Sequence, residues 1–197
     1  FSSKKKLFTA ALVSHLAGID DHRRQKIAQV FITGSKQLPK GIKRGTGIDN
    51  KTLRVSYEAY QDFFRSLKQD HQKELERLFK AQLGLLGRKV SPYKKIYVFA
   101  DPFCERGGYI VDLPRRRKWV VTSVAAGVKW HNVAHEIFHL LVRKLINWEK
   151  FDLEGLDLPV SEPYRQESAK IRWEEYLVRA LTIILLTNGA ERRKRIR

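Results

Sequence analysis

Apolar residues recur at helical spacing in two early segments, 7–17 (LFTAALVSHLA) and 22–32 (HRRQKIAQVFI), with Asp20 and Asp21 placed to cap the second. The pattern predicts a helical hairpin. From Thr33 to Ser56 the chain turns to Gly, Lys, Pro and Thr, with Gly34, Pro39, Gly41, Gly45 and Gly47, which predicts an unusually long loop and a candidate lid. Residues 57–83 set Tyr60, Phe63, Phe64, Leu67, Leu75, Leu78, Phe79 and Leu83 mostly three or four apart, as in one long amphipathic helix. Three short β-branched and aromatic runs come next: Lys95–Ala100 (KIYVFA), Gly108–Leu113 (GYIVDL) and Lys118–Val124 (KWVVTSV). Their short connections predict a small, mainly antiparallel sheet. Trp130 to Trp148 lacks Gly and Pro and is apolar on most faces, as a central helix would be. A last helix is predicted from Arg165 to Thr187, stopping at Asn188-Gly189. The sum is an α+β, helix-rich fold whose sheet packs beside the 130–148 helix.

The length, 197 residues, predicts one domain over 1–190 followed by a basic tail, 191–197. A chain of this size buries roughly 70% of its unfolded surface, so it needs no metal to hold its core together. A lone cysteine, Cys104, excludes an internal disulfide and carries no mark of a ligand or nucleophile. The longest apolar run, Ala180 to Thr187, is far short of the roughly 20 residues of a spanning helix, so an integral membrane protein is not expected. A chain that opens at Phe1 and contains no Met is expected to be a processed or trimmed product, and export with its signal already removed stays open.

Charge adds a second theme. Lys and Arg number 39 against 21 Asp and Glu, a net charge of +18. Basic residues gather at Lys4 to Lys6, Lys40 to Arg44, Arg115 to Lys118 and Arg192 to Arg197, segments that read as loops or ends. Such an excess serves solubility or suits acidic partners: nucleic acid, an anionic surface, or an acidic substrate steered by the field. No stacking motif or helix-turn-helix pattern supports nucleic acid in particular.

The chemistry lies at His135-Glu136-Ile137-Phe138-His139, an H-E-x-x-H arrangement. Four residues advance a helix by about 400°, so both imidazoles leave one face a turn apart and can close on a single zinc ion. Glu136 beside them can accept a proton from water whose pKa zinc lowers toward about 7, which sets up attack on a carbonyl carbon. Ile137, Phe138, Leu140 and Leu141 keep the surroundings uncharged. Zinc of this kind takes a third protein ligand and leaves one position open. Val142 and Leu145 stand where the longer H-E-x-x-H-x-x-G-x-x-H motif needs Gly and His, so the ligand comes from elsewhere. Glu174 and Glu175, in the apolar stretch of the last helix, are both candidates.

With these residues in view, the chain resembles the gluzincin-type zinc metallopeptidases. More narrowly, it resembles an uncharacterised bacterial family with metallopeptidase motifs, in which the H-E-x-x-H helix is followed by a helix of the form E-x-[LI]-[VI]-R-A. Glu175-Tyr176-Leu177-Val178-Arg179-Ala180 matches that form, and Leu16-Ala17-Gly18 resembles an element of the same family's N-terminal helices. The resemblance implies Glu175 as third ligand. Arg179, one turn on, is placed to hold its carboxylate.

Further candidates are His131, a turn before His135, and Tyr164 and Tyr176, either of which could stabilise an oxyanion opposite the metal. Gly107-Gly108-Tyr109 opens a strand whose edge could bind an extended peptide. The expectation is therefore a zinc metallopeptidase: His135, His139 and Glu175 on Zn2+, Glu136 as base, Tyr164 as a further catalytic residue, and a peptide or protein substrate. The rival expectation is a basic protein that binds nucleic acid or an anionic surface, its zinc site structural or vestigial.

Overall fold

A computed structural model describes residues 3–33, 50–66, 71–104, 107–113, 115, 117–123, 130–153 and 167–195. Six α-helices and three strands are present among them: α1 Ser3–Leu16, α2 Asp21–Thr33, α3 Asn50–Ser66, α4 His71–Leu85, β1 Lys95–Asp101, β2 Gly108–Leu113, β3 Arg117–Ser123, α5 Trp130–Leu145 and α6 Ala169–Arg195. The α+β, helix-rich class read from the sequence is the class observed. The chain divides into two compact units, Phe1–Leu75 with Tyr93–Val133, and Glu76–Pro92 with Ala134–Arg197.

In the first unit, α1 and α2 form the expected hairpin. The turn between them is fixed by Gly18 at φ +64°, where a side chain would be strained. Ile19 N–H donates to the Ser14 carbonyl at 2.8 Å and Gly18 N–H to that of His15 at 3.0 Å, which satisfies carbonyls the helix end leaves free. Leu16-Ala17-Gly18 is thus a helix stop. The helices and α3 share a core with one face of the sheet: Leu7, Phe8, Ile27, Ala28, Tyr57 and Tyr60 meet Phe99, Tyr109, Val111, Trp119 and Val121.

Sheet order is β1-β3-β2, with β2 antiparallel to β3 but β1 parallel to β3, in register Lys95↔Arg117 through Asp101↔Ser123. The mainly antiparallel expectation is corrected to a mixed sheet. Two strand spacings amount to about 10 Å, well within the reach of a six-residue connection. Residues 102–107 can therefore step over one strand position, which β3 then fills. Central β3 is buried on both faces, with Val120, Val121 and Thr122 all at 0% exposure, so it shows no polar alternation. A buried ion pair ties α2 to the end of β1: Arg24 Nη1 lies 3.5 Å from Asp101 Oδ2, and Asp101 also accepts from Phe103 N–H at 2.8 Å and Tyr109 O–H at 3.4 Å. Near the other end, Gln29 holds the β2 backbone, donating to the Asp112 carbonyl at 3.3 Å and accepting its N–H at 3.1 Å.

Other boundaries shift. The helix expected over 57–83 is two helices, one ending at Ser66 and the next beginning at His71. Residues 34–49 of the expected loop lie outside the described residues, while Asn50 to Ser56 are already helical. Helix α6 runs through Asn188-Gly189 to Arg195, so the tail from 191 is mostly its continuation; one interior Gly costs a helix only about 1 kcal/mol. The basic clusters are likewise less confined to loops than expected, since Lys4 to Lys6 belong to α1 and Arg117 and Lys118 to β3.

The second unit is built from α5 and α6. Phe138, Val142 and Val178 form its buried centre, with Leu177, Leu181, Leu185, Ile146 and Trp148 packed against it. Helix α4 closes at Gly87, at φ +65°, with the same two hydrogen bonds as α1: Arg88 N–H to the Leu83 carbonyl and Gly87 N–H to that of Gly84.

Candidate metal centre

Helix α5 is fixed by what it buries. Val133, Ala134, Ile137, Phe138, Leu140, Leu141 and Val142 are at most 3% exposed, leaving His135 and Glu136 half-buried and His139 almost wholly buried. The fully buried Gln82 of α4 donates through Nε2 to the Ala134 carbonyl at 2.7 Å, pinning the backbone one residue before the first histidine.

From α6, two adjacent carboxylates reach this helix in different ways, because successive residues leave a helix about 100° apart. Glu175 faces the tips of both rings: its Oε2 lies 3.1 Å from His139 Nε2 and its Oε1 3.5 Å from His135 Nε2. The two Nε2 atoms are 3.1 Å apart. An ion held tetrahedrally by bonds of about 2.0–2.1 Å separates its ligand atoms by about 3.3–3.4 Å. The Nε2 pair comes close to that separation, each ring faces its own oxygen of Glu175, and one donor atom from each of His135, His139 and Glu175 lies within 4.8 Å of the others. These residues could hold a metal ion, and two imidazoles with a carboxylate are donor types that zinc takes.

Glu174 takes the other side of His139. Its Oε1 lies 2.6 Å from Nδ1 and accepts from Arg143 Nε, also at 2.6 Å. A carboxylate on Nδ1 keeps the proton there and turns Nε2, lone pair outward, toward His135 and Glu175. The sequence offered Glu174 only as a rival ligand. The signal that could have found this role is chemical: a buried metal-binding imidazole needs an acceptor for its second nitrogen. Arg179 Nε donates to Glu175 Oε1 at 2.7 Å, as the one-turn spacing suggested.

No family model, curated protein or solved structure matches the chain. The electrostatics of the cluster carry the chemistry further. For His139, burial disfavours the charged form, but the hydrogen bonds to Glu174 and Glu175 outweigh it and raise the pKa to about 9. Glu175 is likewise opposed by burial, yet its hydrogen bonds to His135, His139 and Arg179 hold its pKa far below the carboxylate range. Glu174 is lowered by His139 and Arg143 against the same opposition. Glu136 moves the other way, raised by burial and by Glu175 while both histidines pull it down. The cluster thus shifts neighbouring carboxyls in opposite directions, Glu136 up and Glu174 and Glu175 down, the separation acid–base chemistry uses.

The remaining candidates divide. His131 and Tyr176 are exposed and outside the cluster, and Cys104 is buried. Tyr164 lies outside the described residues. Gly108 does open an edge strand, but Gln29 already occupies the backbone of that strand at Asp112.

Proposed function

We propose that this chain is a zinc-dependent hydrolase, a metallopeptidase of the gluzincin type, cleaving peptide bonds. The observation that carries the reading is the convergence of His135 Nε2, His139 Nε2 and the Glu175 carboxylate, the two nitrogens 3.1 Å apart and each 3.1–3.5 Å from one Glu175 oxygen, backed by Glu174 on His139 Nδ1. Bound there, zinc would act as a Lewis acid that polarises a carbonyl and makes water a nucleophile near neutral pH. The residues supply the rest. Glu174 fixes the His139 tautomer, and Arg179 steadies the Glu175 carboxylate. Glu136 accepts a proton from the attacking water and returns it to the departing amine, a transfer its raised pKa favours.

The test separates binding from chemistry. Glu136→Gln should retain about one zinc per chain by elemental analysis and lose at least about 100-fold in peptide hydrolysis. Glu175→Ala should lose the zinc. An unchanged rate in Glu136→Gln overturns the hydrolase reading.

One observation favours a second reading, a polyanion-binding protein such as one that docks on nucleic acid. Charge is uneven: the first unit holds 23 Lys and Arg against 10 Asp and Glu, the second 16 against 11. That reading requires binding that weakens steeply with salt and survives Glu136→Gln.

A further inference from the structure

The C-terminal half of α6 presents apolar side chains on two faces. One face is accounted for: Val178, Leu181 and Leu185 pack with Phe138 and Val142, and Thr182 is buried. The opposite face is not. Tyr176, Ala180, Ile183 and Thr187 recur at four- and three-residue spacing, and all are exposed. Ile183 is 64% exposed, Ile184 beside it 45% and Leu186 39%. Half of the large hydrophobic residues exposed among the described residues belong to this one helix. An apolar stripe left in water on a helix already anchored by its other side marks a surface that something covers.

The charge at the end of the stripe indicates the occupant. The last turn of α6 carries Arg192, Arg193, Lys194 and Arg195, and Arg197 comes after them, so five of the final six residues are cationic. A second copy of the chain would bring five like charges and a net +18 to the same place. Nucleic acid would neutralise the cations yet leave Ile183, Ile184 and Leu186 in water. An anionic lipid interface takes both halves: acyl chains receive the apolar face, and headgroup phosphates the arginines.

We infer that the distal half of α6 docks this protein on an anionic phospholipid surface. Docking is in the plane of the interface, since no helix among the described residues is long and apolar enough to cross a bilayer. The same helix carries Glu174 and Glu175 in its proximal half, about 12 Å along the axis from Ile183, so docking would hold the candidate metal centre beside the bilayer. The inference goes beyond the hydrolase reading and does not depend on it.

Vesicle co-sedimentation tests it with the full chain. Binding is expected to vesicles of phosphatidylcholine containing about one-third phosphatidylglycerol and not to phosphatidylcholine alone, and it should weaken with salt. Ile183→Asp with Ile184→Asp should reduce binding at least about tenfold, and Lys194→Glu with Arg195→Glu, on the same side of the helix, at least about thirtyfold, at unchanged circular dichroism. Zinc content should be the same in all three proteins. The inference is overturned by binding that survives both variants, by equal binding to neutral vesicles, or by a dimer in analytical ultracentrifugation that Ile183→Asp with Ile184→Asp dissolves. Binding of duplex DNA that both variants abolish, without vesicle binding, also overturns it and gives the tail to nucleic acid.

Discussion

Both units bury ionised groups, and they do so in opposite ways. In the first, Arg24 and Asp101 are at most 4% exposed, and one cation faces one anion, with Tyr109 and the Phe103 amide as further donors to the carboxylate. In the second, two histidines and three carboxylates converge, and two ring nitrogens face each other at 3.1 Å. Such a nitrogen pair needs a proton or a metal between its members. The first sets opposite charges against each other and holds α2 to the sheet. The second brings two like ring nitrogens together among carboxylates, so it could take one more cation where the ion pair already holds its own.

Breaking the ion pair should have the largest effect. Asp101→Ala removes the carboxylate that faces a buried guanidinium and should cost about 3–5 kcal/mol of unfolding free energy in a urea titration. A cost near zero would make the pair dispensable to the fold and erase its difference from the histidine cluster. Next is Glu174→Ala, expected to weaken zinc affinity by about 10–100-fold in a chelator competition while leaving the fold intact. Equal affinity would reduce Glu174 to a salt-bridge partner of Arg143.

The proton that His139 holds in the metal-free chain gives a third, smaller effect. The His139 pKa rises from 6.5 to about 9 in the folded chain, so in metal-free protein its contribution to stability is full below 6.5 and disappears as pH climbs through about 9. Melting temperature of the metal-free chain should fall over that window, and zinc affinity should rise over it as the competing proton leaves. A zinc-loaded sample should lose less of its stability between pH 6.5 and 9 than the metal-free one. At the small end, the exposed Arg23–Asp20 pair should be nearly silent: Arg23→Ala is expected to change stability by less than about 1 kcal/mol.

How much of the molecule was legible in the sequence depended on the range of the interaction. The hairpin of α1 and α2, the α5 helix and the His135–His139 spacing follow from periodicity and were read directly. The parallel pairing of β1 with β3 was not, because connection length limits distance and does not choose neighbours. Nor was the Arg24–Asp101 pair, whose members lie 77 positions apart with nothing local to link them. Glu174 and Glu175 look alike in the sequence, and only the 100° between them on α6 gives one to the ring tips and the other to the back of His139. Resemblance favoured Glu175 as ligand; the carboxylate behind the imidazole needed coordinates.

The amide of Gln29 across Asp112 carries a further consequence. A sheet edge is a template for intermolecular pairing, and its exposed backbone groups recruit strands from other chains into aggregates. By taking both the N–H and the carbonyl of Asp112, one side chain imitates a neighbouring strand at that point and leaves an incoming segment nothing to bond there. The residue thus guards solubility as well as joining α2 to the sheet, and its loss should show as turbidity on storage before it shows as any change in melting temperature.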